Sequence, residues 1–78
     1  MPTILRNGAY RFFFYTNEPD EPPHIHIQHT NKLAKFWLHP VSLASSIRFR
    51  PHEIRELERI IKHNVDILIE AWNEHFHR

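Results

Sequence analysis

Two histidines one residue apart, His24 and His26, follow a pair of prolines in the stretch Glu21-Pro22-Pro23-His24-Ile25-His26-Ile27-Gln28. Imidazoles in water titrate near pH 6.5, so such a pair can supply both an acid and a base at neutral pH. In metal-free RNA cleavage one ring would take the 2′-hydroxyl proton and the other would protonate the leaving oxygen. Arg11 or Lys35 would then stabilise the phosphorane charge. The same rings, about 7 Å apart on alternate strand positions, are within reach of one metal ion, with Glu18, Asp20 or Glu21 adding a carboxylate. Zinc or manganese would be the expected ion, but a metal site needs three or four ligands and the spacing supplies two. A third use is recognition: histidines and aromatics on an exposed sheet face, with Glu21, Pro22, Pro23, Gln28 and Trp37 beside them, form a protein-binding surface. The plainest reading makes the pair the polar side of a half-exposed strand. All four readings stay open here.

The elements that must position these residues follow from periodicity. Strand side chains alternate, so Ile25 and Ile27 take one face while His24, His26 and Gln28 take the other. Pro22 and Pro23 have no amide hydrogen, so pairing on that side begins at His24. Pro22 must itself be extended, because a proline follows it. Upstream, Tyr10, Phe12 and Phe14 alternate with Arg11, Phe13 and Tyr15; downstream, Ala34, Phe36 and Leu38 alternate with Lys35, Trp37 and His39. Leu43 to Phe49 is a weaker fourth strand. Residues 16–23 read as a loop, Thr30-Asn31-Lys32 as a hairpin turn, and His39-Pro40 as the end of the third strand.

The last third is helical. Ile54, Leu57, Ile61, Val65, Leu68, Trp72 and Phe76 recur at steps of three and four, one apolar stripe. Pro51 suits the first turn, with Glu53 and Glu56 at the positive end of the dipole. His75, His77 and Arg78 suit the other end, and Glu58 with Lys62 is a supporting pair. Ile60, Ile67 and Ile69 widen the apolar surface beyond one stripe, so the helix should touch more than its own sheet. The expectation is a single α+β domain over residues 1–78, with a small antiparallel sheet of three to four strands within 3–50. One long C-terminal helix at about 51–76 packs on it. Trp72 belongs to the core and Trp37 is partly exposed beside Lys35. His29, His39, His52 and His63 are solvated or helix-surface groups.

Composition narrows the classes. A chain of 78 residues buries roughly 60–65% of its unfolded surface, so stability is marginal. It has no cysteine, which rules out disulfides and thiolate metal sites and suits a reducing cytosol. Six Phe, two Tyr and two Trp, or a second chain, must make up the difference. Residues 1–51 carry six Lys or Arg against three acids, and residues 52–78 carry four against six. That asymmetry allows a mildly cationic first half but falls short of the strongly basic footprint of nucleic-acid binders. No apolar run approaches the roughly 20 residues of a membrane span, and no secretory signal pattern opens the chain. The expectation is a soluble, untargeted protein.

"MPTIL", "YRFFFYTNE", "EPPHIHI", "AKFWLHPVSLA" and "ELERIIKHNVDILIEAWNEHF" together resemble the bacterial family called domain of unknown function 4160. "EPPHIHI" followed closely by "AKFWL" is the most specific part. The resemblance implies a small bacterial cytoplasmic protein, often encoded beside a second small protein (domain of unknown function 2442). That layout suggests a toxin–antitoxin-like pair, with this chain as the toxin-side or otherwise paired partner. The family's motif residues map to Glu21, Pro22, Pro23, His24 and His26. Two positions depart from its pattern: Thr30-Asn31 stands where a turn glycine is expected, and Ser45-Ser46-Ile47 where a glycine often precedes the helix. Asn31 can take the left-handed conformation that a turn needs. The expected function is therefore one half of a two-gene module acting by protein–protein binding, with self-association or RNA as further partners and no cofactor. The alternatives are a metal-independent ribonuclease using His24, His26, Arg11 and Lys35, or a metal-dependent hydrolase with a metal ion on His24 and His26.

Overall fold

The computed structural model describes residues 3–15 and 20–76. Five strands follow one another: β1 (Thr3–Asn7), β2 (Tyr10–Phe13), β3 (His24–His29), β4 (Lys32–Leu38) and β5 (Val41–Ile47). Two helices complete the chain: α1 (Pro51–His63) and α2 (Val65–Phe76). The strands form one antiparallel meander in the order β1-β2-β3-β4-β5. The architecture is thus the expected α+β, with five strands instead of three to four and two helices instead of one.

The extra strand comes from the first hairpin. Asn7 pairs with Tyr10 across Gly8-Ala9, and Gly8 has φ +61°. A left-handed first turn residue matches the right-handed twist of a two-residue hairpin, and Gly8 at the first loop position is the sequence signal for it. In the next tight turn the left-handed residue is Thr30 (φ 55°), rather than Asn31. Arg48 (φ 67°) is left-handed as well, just before α1 and beyond Ser45-Ser46-Ile47. A cis His39–Pro40 bond joins β4 to β5.

The helix break has a side-chain cause. Asn64 leaves helical geometry (φ −117°, ψ 14°), its backbone N–H bonds Ile61 O, and its side-chain amide donates to Ile60 O at 2.8 Å. Asn64 O then accepts the N–H of Leu68 and starts α2. An asparagine offering its own amide to the last carbonyls competes with helix continuation. The apolar stripe runs through the break: Leu57, Ile61, Leu68 and Trp72 are buried, with Ile54, Val65 and Phe76 packed beside them. Of the three additional isoleucines, Ile60 is buried, Ile69 joins the core margin, and Ile67 stays 61% exposed.

One core lies between the helices and one sheet face, built from Phe12, Phe14, Ile25, Ile27, Ala34, Phe36 and Leu38 against the helix stripe. Both isoleucines of the histidine strand therefore lie in the core, as alternation requires. Glu53 ties α1 to the sheet: it accepts from Arg50 N at 2.8 Å and from Lys32 Nζ at 2.7 Å. Those contacts, the Arg50 amide first, hold its pKa below the ordinary 4.5. A depressed carboxylate stabilises the fold above its ordinary pKa, and that contribution fades as pH falls through the lower folded value. Glu53→Gln should therefore flatten the acid limb of a Tm-against-pH curve below pH 4.5. Superimposable curves would show that the contact contributes nothing. Among the described residues, no helix is long and apolar enough to cross a membrane.

Candidate functional site

The prolines before β3 have carbonyls but no amide hydrogens, and both carbonyls are used. Pro23 O accepts the N–H of Leu38 at 3.0 Å, extending the ladder by an acceptor alone. Pro22 O lies 2.9 Å from His24 Nδ1, and since a carbonyl only accepts, Nδ1 is the donor there. His24 is thereby aimed at the end of the sheet, where it is fully buried. Its ring lies 4.8 Å from that of Trp72, 5.1 Å from His26 and 5.7 Å from Trp37. The expectation of one wet face for both histidines is corrected for His24. Alternation sets the side to which a residue points, while Trp72 of α2 and Trp37 of β4 set how deep it lies.

His26 is half-buried on the outer face, the one opposite the helices. It stacks on Phe13 (centroids 5.6 Å, 25°) and meets Tyr15 edge-on at 4.4 Å. Register places Lys35 directly across from His26 and Ser45 across from Lys35. Lys35 Nζ donates to Glu21 Oε1 at 2.5 Å and sits 4.6 Å above the Trp37 ring. The same carboxylate oxygen is 3.8 Å from His24 Nδ1. Glu21, Pro22, His24, His26, Lys35 and Trp37 thus form one cluster.

Arg11 and Gln28 lie apart from it. They pair with each other two positions further along β3, Arg11 Nη1 donating to Gln28 Oε1 at 3.3 Å. Arg11 also donates to Thr3 Oγ1 at 2.7 Å, and its guanidinium lies 4.6 Å over the Phe13 ring. Asp20 is exposed, while Glu18, His77 and Arg78 lie outside the described residues. Among the described residues no three histidine or carboxylate side chains gather closely enough to hold a metal ion. His29, expected to be solvated, is partly buried edge-on against Tyr10 at 5.5 Å. His39, His52 and His63 are exposed, as expected.

Beside His26 lies an open depression of about 210 Å³, bordered by Tyr15, Leu33, Lys35, Ser45, Ser46 and Ile47. Alternation marks Tyr15 only as a strand position, and neither Leu33 nor Ser45 to Ile47 was expected at a site. Their signal lay in registers that cross three strands.

A family model described as Domain of unknown function (DUF4160) matches residues 9–73, most of the 78-residue chain. The chain belongs to the DUF4160 family. The DUF4160 match spans β2 through Asn73, so it holds the whole cluster, the depression and Trp72, while β1 lies ahead of it. No curated protein and no solved structure matches the chain.

Proposed function

We propose that this DUF4160 protein is one half of a toxin–antitoxin-like two-gene module and acts by binding a small protein encoded beside it, on the outer face of its sheet. The observation that carries this reading is the rim of β4 and β5, which no other described residue covers. Leu33 and Ile47 stand opposite each other there, 37% and 50% exposed. With Tyr15 and His26 they border the depression, and aliphatic and aromatic anchors around a recess are what interface cores use. The ribonuclease reading has less support. Lys35 is engaged by Glu21 and Arg11 by Thr3 and Gln28, so each cation would have to leave a partner to stabilise a phosphorane. His24 is enclosed, which leaves His26 beside the depression.

Co-expression with the neighbouring gene should yield a complex on size-exclusion chromatography. Leu33→Glu and Ile47→Glu place a carboxylate on the rim without entering the core, and each should weaken the complex about tenfold or more, roughly 1.4 kcal/mol. Separate elution of two folded monomers would overturn the proposal. Cleavage of RNA by the purified protein in EDTA, abolished by His26→Ala, would replace it with the ribonuclease reading.

A further inference from the structure

Among the described residues β5 ends the sheet, so along one side of Val41–Ile47 the backbone N–H and C=O groups face no neighbouring strand. Natural edges are blunted by shortness, charge, proline or bulges. The opposite edge, β1, is five residues long, carries Arg6 and has an irregular register between Thr3 and Leu5. β5 is seven residues long, carries no charge, and is exposed at six of its residues, with Leu43 at 43% and Ile47 at 50%. What blunts it is the irregular register facing Lys35 and Phe36 and the proline that precedes it.

We infer that β5 pairs antiparallel with β5 of a second copy of this chain, about a two-fold axis, joining the two sheets edge to edge. Charge selects this occupant. Val-Ser-Leu-Ala-Ser-Ser-Ile opposes no like charges when it meets itself, whereas a strongly charged peptide finds no countercharge on it. α1, which lies against β5, would come alongside its counterpart, and its Glu53, Glu56 and Glu58 balance Arg55, Arg59 and Lys62. The chain as a whole carries only +1, so two copies barely repel. A two-fold axis makes the contact self-complementary and closed, so association stops at a dimer. Seven residues a side fall short of the roughly 20–30 of a standard interface, so the dimer is weak and concentration-dependent. The inference goes beyond the partner-binding reading and does not need it, because an added strand lies in the plane of the sheet and leaves the outer face open.

Sedimentation velocity of the full chain, from low micromolar to near-millimolar concentration, should show the mass rising from 9.5 kDa towards twice that value. Ser42→Lys and Leu43→Lys each bring two ammonium groups, one from each copy, onto the otherwise uncharged shared edge and should each weaken dimerisation about tenfold or more. Circular dichroism checks that both variants fold. The chain has no cysteine, so an introduced one is unique. Ala44→Cys should be captured as a dimer by a short bismaleimide, and Ile67→Cys on the exposed side of α2 should not. A 9.5 kDa mass at every concentration, or a dimer that both lysine variants leave intact, overturns the inference. If neither lysine variant folds, absence of the Ala44→Cys crosslink overturns it instead. Leu43→Lys that loses the dimer yet still elutes with the neighbour protein supports both proposals. Leu33→Glu that keeps the dimer and loses the neighbour does the same from the other side.

Discussion

His24→Ala is expected to lower the unfolding free energy by about 2–4 kcal/mol, read from urea unfolding monitored by circular dichroism. The ring is fully buried and touches the rings of Trp72, Trp37 and His26. Removing it opens a cavity among those rings and deprives Pro22 O of its donor. A chain of this length has on the order of 4–12 kcal/mol in total, so the loss is a large fraction of its stability. His24→Asn keeps an N–H to offer Pro22 O and should recover part of it. His26→Ala, on the half-exposed outer face, gives up mainly its ring contacts and should cost about 0.5–1.5 kcal/mol. Equal costs at the two positions would contradict the enclosure of His24. Loss of function in His24→Ala therefore has to be weighed against loss of fold, and His26 is the cleaner probe of the outer face.

Trp72→Ala should have the largest effect, about 3–5 kcal/mol. Trp72 meets Phe14 at 5.4 Å, Phe76 at 4.1 Å and His24 at 4.8 Å, so one indole joins α2, the residue that follows β2 and the start of β3. α2 buries only Leu68 and Trp72 fully, and the break at Asn64 uncouples its helical hydrogen bonds from those of α1. Amide hydrogen exchange should accordingly show α2 losing protection before the rest of the molecule in this variant. Trp72→Phe keeps an aromatic ring and should cost clearly less. A change of under about 1 kcal/mol in Trp72→Ala would mean that α2 does not pack at the end of the sheet.

Much of this molecule was legible without coordinates. Period-two alternation assigned Ile25 and Ile27 to the core, and the three-and-four stripe assigned Leu57, Ile61, Leu68 and Trp72. Both signals are local, because they depend on which way successive side chains leave the backbone. The motif around His24 and His26 pointed to the family that the match over residues 9–73 shows. The break at Asn64 was hidden because the stripe keeps its phase across it, with Ile61, Val65 and Leu68 still on one side. β1 was overlooked because its bulge at Ile4 disturbs the alternation that would reveal a strand.

The site divides in the same way. Sequence alone determined that two histidines sit on one side of a strand launched by two prolines, opposite two core isoleucines. Tertiary structure decided that His24 is enclosed while His26 borders a depression, that Lys35 is held by Glu21, and that Arg11 stands apart. Those outcomes depend on strand register and on where Trp72 meets the end of the sheet, contacts between residues up to 58 positions apart (Phe14 to Trp72). Periodicity gives each side chain a direction, but depth and neighbours come from the pieces of chain that pack over it.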